Sequence, residues 1–284
     1  MKLTNHSTAQ AFLNMAQDAL LRNEARNNLI LGISNRVRDG GSYGVEPPLF
    51  LTVEDDGEIV ATAIRTPPYN LIVQCDRDRL DALDAIVEQL IAIDHNLPGV
   101  HGSVDVANAF ADRWTRRSGR AASVLMSQRI YSLTEVTPPV NVSGEVRWAR
   151  EADVPTLTKW FLAFHDEAVP GDPPSDPAKN VQRFMASGKL AVWDDSGPVS
   201  MAGSSRGSTN GATVSAVYTP PTHRGHGYAS ACVAALSQSL LDSGYRFCTL
   251  YTDLANPTSN KIYQSVGYHP IEDCTMITFE GAAT

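Results

Sequence analysis

The chain alternates between helical stripes and short β-like runs, and the alternation repeats. Ala11, Phe12, Leu13, Met15, Ala16, Ala19, Leu20 and Leu21 recur at helical spacing over residues 7 to 23, behind a Ser7-Thr8 cap candidate. A second helical stretch runs from Ala25 to Val37, and Gly40-Gly41 ends it. Leu49 to Val53 and Glu58 to Arg65 read as two strands around the Asp55-Asp56-Gly57 turn, where Asp-Gly supplies positive φ at little cost. Tyr69 to Gln74 is another strand. Leu80, Leu83, Ile86, Val87, Leu90 and Ile91 share one helix face. A helix over Val106 to Arg117 and a strand over Ala122 to Leu133 close the first half.

Thr134 to Gly144 lacks periodicity and holds Pro138-Pro139 and Ser143-Gly144, which predicts a linker. Beyond it Val146 to Arg150 is a strand. Asp153 caps a helix with Val154, Leu157, Trp160, Phe161 and Phe164 on one face. Leu190 to Trp193 and Pro198 to Ser204 flank the turn 194–197. Strands at Ala212 to Tyr218, Arg246 to Tyr251 and Cys274 to Phe279 alternate with helices at Gly227 to Ser243 and Pro257 to Ser265. The breaker-rich stretch from Gly171 to Pro177 reads as a long loop. Both halves follow the order helix, hairpin, strand, helix, strand, helix, strand. That order predicts two similar α/β domains, over residues 1–135 and 145–284, joined by 136–144.

Composition narrows the function. Of 284 residues, 43% are hydrophobic and 19% charged, an ordinary globular balance. The net charge of −8 is spread over both halves, with no Lys/Arg run, so nucleic acid is excluded as the expected partner. No apolar run reaches the roughly 18 residues of a membrane span, and no secretory h-region opens the chain. Cys75, Cys232, Cys248 and Cys274 are scattered without CxxC or zinc spacing, so reduced thiols in the cytoplasm are expected. His223 and His226 lack a third ligand nearby, and no metal is expected.

The chemistry concentrates at Val214 to Ser230, where a β-branched strand meets Thr219-Pro220-Pro221 and then Arg224-Gly225-His226-Gly227 before an amphipathic helix. Uncapped N–H groups and the positive end of the helix dipole make an anion site. Two glycines let a pyrophosphate approach the backbone. Spacing alone also fits a tight turn without a ligand. GxxxxGK[ST] is absent, and the third glycine of a dinucleotide fingerprint is missing.

Val217-Tyr218-Thr219-Pro220-Pro221 with Arg224-Gly225-His226-Gly227-Tyr228-Ala229 resembles motif A of the GNAT superfamily of N-acetyltransferases. Leu250 to Tyr268, with Asn256-Pro257, Tyr263 and Gly267-Tyr268, resembles motif B. The resemblance covers about residues 145 to 280. It implies two tandem GNAT-like domains, each a mixed, mostly antiparallel sheet with flanking helices, the second of them catalytic. It implies acetyl-CoA as co-substrate, bound between two parted strands, and acetyl transfer to a primary amine on a small molecule or peptide. Val217, Tyr218 and Thr219 would meet the pantetheine arm, His223 to Ala229 the pyrophosphate, and Asn256 and Ser259 the cofactor. Tyr263 would assist departure of the thiolate. One departure from the pattern is Thr222, where the family often has Gln or Arg. A binding module without catalysis, or a transferase of another acyl group, are the alternatives on the same scaffold.

The acceptor's base is open among His165, Asp166, Glu167 and Asp253, each of which also reads as a solvated charge, and direct attack in a ternary complex without a dedicated base is the other course. In the first half, Leu71 to Gln74 leads through Cys75-Asp76-Arg77-Asp78-Arg79 into a helix. This stretch has no glycine, and two aspartates stand where phosphate would sit, so this copy is expected to be degenerate. Packing on the active half, walling the acceptor cleft or forming a homodimer are the roles left to it.

Overall fold

A computed structural model describes residues 1–93, 96–168 and 176–281, with backbone only at 205 and 206. The chain forms two compact units, Met1–Arg129 with the residues from Glu272 onward, and Ile130–Ile271. This grouping differs from the expected boundaries. Residues 130–135 join the second unit, where Tyr131 and Leu133 enter its core. The linker 136–144 also lies in the second unit, pinned by the Thr137 N–H to Val266 O at 2.8 Å and by Trp193 Nε1 to Ser143 O at 2.8 Å. The last strand returns to the first unit, because Ile277 and Phe279 complete that unit's apolar core.

The first unit contains β1 (Lys2–Asn5), α1 (Ala9–Leu21), α2 (Asn28–Arg38), β2 (Leu49–Asp55), β3 (Glu58–Arg65), β4 (Leu71–Cys75), α3 (Ala82–Ala92), β5 (Gly99–Ser103), α4 (Val104–Ser118) and β6 (Ala122–Leu133). The second contains β7 (Glu145–Trp148), α5 (Val154–Ala168), α6 (Pro177–Ala186), β8 (Leu190–Asp194), β9 (Pro198–Gly207), β10 (Gly211–Tyr218), α7 (Tyr228–Asp242), β11 (Phe247–Asp253) and α8 (Pro257–Val266), and β12 (His269–Phe279) follows. Strand order in the first unit is β1-β2-β3-β4-β5-β12-β6, and in the second β6-β11-β10-β9-β8-β7. The β4–β5 and β10–β11 pairs are parallel, and the other pairs with recorded register are antiparallel. The expected fold class is therefore the observed one.

Local signals explain most elements. Thr8 caps α1 by accepting from Ala11 N at 3.1 Å. Asp153 accepts from Arg150 N at 2.7 Å ahead of α5. Asp56 and Gly57 take positive φ in the β2–β3 turn. Strand β1 and helix α6 are additional to the expected elements, and β5 fills the place between two helices where the repeated order calls for a strand but no apolar run marks one. The sequence of β5, Gly99-Val100-His101-Gly102-Ser103, has almost no apolar run. Its glycines are set by packing: a Cβ on Gly102 would sit 2.7 Å from Val73 O, and one on Gly99 would collide with Ile277 O. Helix α6 starts on Asp176, whose carboxylate accepts from Ala178 N and Lys179 N. Residues 171–175 of the expected loop lie outside the described residues.

Candidate active site

Two parallel strands carry the predicted site residues at their carboxy-terminal ends. Strand β10 pairs with β11 at Gly211, Ala212 and Thr213 only, opposite Phe247, Cys248 and Thr249. Beyond that point β10 continues to Tyr218 and β11 to Asp253 without pairing to each other, so the two strands part. A bulge causes part of this. On the β9 side, Ser215 faces Gly203 and Tyr218 faces Met201, leaving Ala216 and Val217 without partners. Ala216 has φ +52, an uncommon conformation for a residue with a Cβ. Ser200 then fixes the end of β10, bonding Tyr218 O at 3.2 Å and Thr219 Oγ1 at 2.8 Å. The backbone of Val217 is thus left without a ladder partner at the strand opening.

After β10 a 3-10 turn over Pro221–His223 leads to Arg224, Gly225 and His226. Gly225 has φ +83 and Gly227 φ +81, positions that favour glycine. A Cβ on Gly225 would meet nothing within 4 Å, so one side of the loop is open. Gly227 is the N-cap of α7 and supplies no side-chain cap. Ala231 N donates to Gly227 O, the first helical bond. The N–H groups of Gly225 through Ser230 donate to no acceptor among the described residues. Such a row of free donors at a helix start fits a polyanion.

Several predicted ligands also have structural partners. Arg224 bonds Glu167 at 2.8 Å and Thr219 O at 2.9 Å. Tyr228 donates its hydroxyl to Asp195, which also accepts from Ser143 Oγ. These bonds hold the Asp195 carboxyl below its ordinary range. The His226 ring stacks on Tyr228 at 5.5 Å, and His223 is half-buried in the turn. Ala229 lies in the first turn of α7.

At the end of β11, Asn256 caps α8, its Oδ1 accepting from Ser259 N at 3.0 Å. Pro257 takes the first helical position. The Asn256 amide nitrogen is left for another partner. Two residues that sequence reasoning missed hold this corner. Asn260 donates to Asp253 O at 2.8 Å and Asn256 O at 2.7 Å, and it accepts from Tyr131 Oη at 3.0 Å. Only the Asn at helical spacing after the cap could have hinted at Asn260, and nothing local pointed to Tyr131.

Tyr263 is buried beside Tyr268, with ring centroids 6.1 Å apart. Its hydroxyl makes no hydrogen bond to the described residues. Burial pushes that phenol up to about 12. The candidate bases fare less well. Glu167 is paired with Arg224, and Asp253 accepts from Ala255 N at 2.8 Å to make the turn. Among the described residues no group of three or more His, Cys, Asp or Glu side chains could hold a metal.

In the first unit the corresponding geometry is closed. The N–H groups of Arg79, Ala82, Leu83 and Asp84 are all used in successive turns leading into α3. No residue from Asp76 to Asp81 has positive φ. Arg79 pairs with Asp55 at 2.8 Å.

The comparisons with known proteins bear on the fold. A family model described as FR47-like protein matches residues 196–277. Solved structures resembling the chain include a GNAT-family acetyltransferase from Colwellia psychrerythraea, 12% identical, with a TM-score of 0.60 over 98% of this chain and 99% of that one. A GCN5-related N-acetyltransferase from Sphaerobacter thermophilus is 17% identical, with a TM-score of 0.60 over 98% and 95%. A tandem GNAT protein from the clavulanic acid biosynthesis pathway is 14% identical, with a TM-score of 0.63 over the whole of both chains. The fold is that of the GNAT acetyltransferases. No curated protein matches the sequence.

Proposed function

We propose that the chain transfers an acetyl group from acetyl-CoA to a primary amine, by direct attack within a ternary complex. The observation that carries this reading is the parting of β10 from β11 beside an uncapped, glycine-started helix. A long ligand with amides in the middle and phosphates at one end fits those features. The unpaired backbone at Val217 would take the pantetheine amides as an added strand takes its neighbour, with Tyr218 and Thr219 continuing that edge. The free N–H groups from Gly225 to Ser230 would hold the pyrophosphate, flanked by His223, Arg224 and His226. Asn256 can cap α8 and still offer its amide nitrogen.

Acetyl-CoA supplies an activated carbonyl, so the protein's task is mainly positioning. A backbone N–H at the bulge polarises that carbonyl. Tyr263 then donates a hydrogen bond to the departing sulfur. A phenol held at about 12 keeps its proton against a thiolate whose acid titrates at ~8.5, so it stabilises charge without giving up the proton. This reading assigns no dedicated base: as the C–N bond forms and the C–S bond breaks, the nitrogen gives its proton to water and the released thiolate takes one up from water. Its acceptor is a small-molecule or peptide amine, and four unpaired cysteines suit the cytoplasm.

Calorimetric titration of acetyl-CoA into the full chain tests the proposal. One site per chain is expected. Two sites would overturn the view that the first unit is degenerate. No binding by folded protein would overturn the transferase reading itself.

A further inference from the structure

One ion pair ties the glycine loop to α5. Arg224 Nη2 reaches both Glu167 oxygens, at 3.1 and 2.8 Å, while its Nε donates to Thr219 O. The guanidinium lies 5.8 Å from the Tyr218 ring centroid. Side-chain exposures of 48% and 51% mean that water screens the pair, so it is weak. Arg224 also immediately precedes Gly225 and the row of free N–H groups. A phosphate bound there places charge beside the same guanidinium, and a bidentate Arg–phosphate contact is stronger than an exposed carboxylate pair. Among the described residues no second cation pairs with Glu167. Tyr218 senses both groups: burial and the Glu167 charge raise its phenol, and Arg224 opposes them.

We propose that Arg224 is an exchangeable counter-ion that masks Glu167 in the free protein and moves to the pyrophosphate when the co-substrate binds. Glu167 then becomes the anionic docking point for the positively charged part of an acceptor. The inference rests on the acetyltransferase reading, and it makes Glu167 a specificity residue where a base was the alternative. It also orders binding, because the cation site opens only after the pyrophosphate is held.

A double-mutant cycle read by calorimetry tests it, using wild type, E167Q, R224Q and E167Q/R224Q. Both residues are half exposed, so the variants should fold. E167Q is expected to tighten CoA by about two- to five-fold, the gain from releasing an exposed pair. In the R224Q background the same change should do nothing. An equal gain in both backgrounds would show a general charge effect and overturn the exchange, as would no gain in either. Spermidine serves as the cationic probe. It should bind R224Q alone and CoA-loaded wild type, but neither free wild type nor the E167Q proteins. Failure to bind R224Q and CoA-loaded wild type, or equal binding to free and loaded wild type, would overturn the role of Glu167. If no protein binds CoA, the transferase reading fails, and spermidine titration of R224Q still decides whether Glu167 is a cation site.

Discussion

Tyr263 is the residue whose chemistry separates most cleanly from its packing. Its ring belongs to the core of the second unit, while its hydroxyl bonds to nothing among the described residues. Tyr263→Phe should therefore leave the melting temperature within a degree or two, since no hydrogen bond is lost. If the hydroxyl supports the leaving sulfur, kcat should fall by about 10²-fold, with CoA affinity little changed. Unchanged turnover would remove the assigned role. The cysteines make a second residue-scale case. Burial pushes the thiols of Cys75, Cys232, Cys248 and Cys274 up to about 12, from an ordinary 9.0. Native protein should resist a thiol reagent such as DTNB that titrates all four in urea. Unfolded thiols ionise from about pH 9 upward while the folded ones stay neutral, so stability is intact below 9 and falls between 9 and 12. Denaturant midpoints measured across that window check it.

At the scale of elements, two side-chain clusters hold the second unit's site in place. Arg147 on β7 bonds Asp153 at 2.6 and 2.9 Å and Asp194 at 2.6 Å, tying β7 and β8 to the start of α5. These bonds hold both carboxyls below their usual range. A depressed carboxyl adds stability above its unfolded value, about 3.9, and loses it as pH falls through the lower folded value. Arg147→Met should cost about 2–4 kcal/mol near neutral pH, because Asp153 is left buried without a counter-ion, keeping only the bond from Arg150 N. The variant's stability should also depend less on pH below 4, as urea denaturation would show. At the other cluster, Asn260→Ala removes three hydrogen bonds around the β11–α8 corner. It should cost about 2 kcal/mol and weaken CoA binding by disturbing the Asn256 cap. Helices α1, α4, α5 and α7 were legible from apolar spacing and capping residues. Strand β5 and helix α6 were not. The glycines of β5 answer to Val73 and Ile277, which are distant in sequence, and α6 follows a stretch of loop-forming residues.

For the molecule as a whole, the last strand is the decisive piece. β12 lies between β5 and β6 in the first unit's sheet, with Met276 facing His101 and Ile277 facing Val100. Ile277 and Phe279 are each buried, contributing on the order of 1.5–3 kcal/mol apiece. A chain ending at residue 271 should leave the first unit without an interior strand, the one between β5 and β6. Hydrogen exchange should then show β4 and β5 unprotected, while full-length protein protects both. Protection of these strands in the truncated chain would show that the first unit can close its sheet without β12.

Whatever depends on near neighbours is written in the order of the residues. Helical stripes, caps, the Asp-Gly turn and the glycine loop follow from residues within a turn or two of each other. So did the contrast between the loops at 76–79 and 224–227, because glycine content and charge are local properties. What depends on distant partners came only with the folded chain. The fold placed the final strand in the first unit, where that unit's core needed Ile277 and Phe279. It parted β10 from β11 at Thr213, where the bulge at Ala216 and the bond from Ser200 act on the strand. It also set Arg224 against Glu167, a pairing 57 residues apart that no spacing encodes.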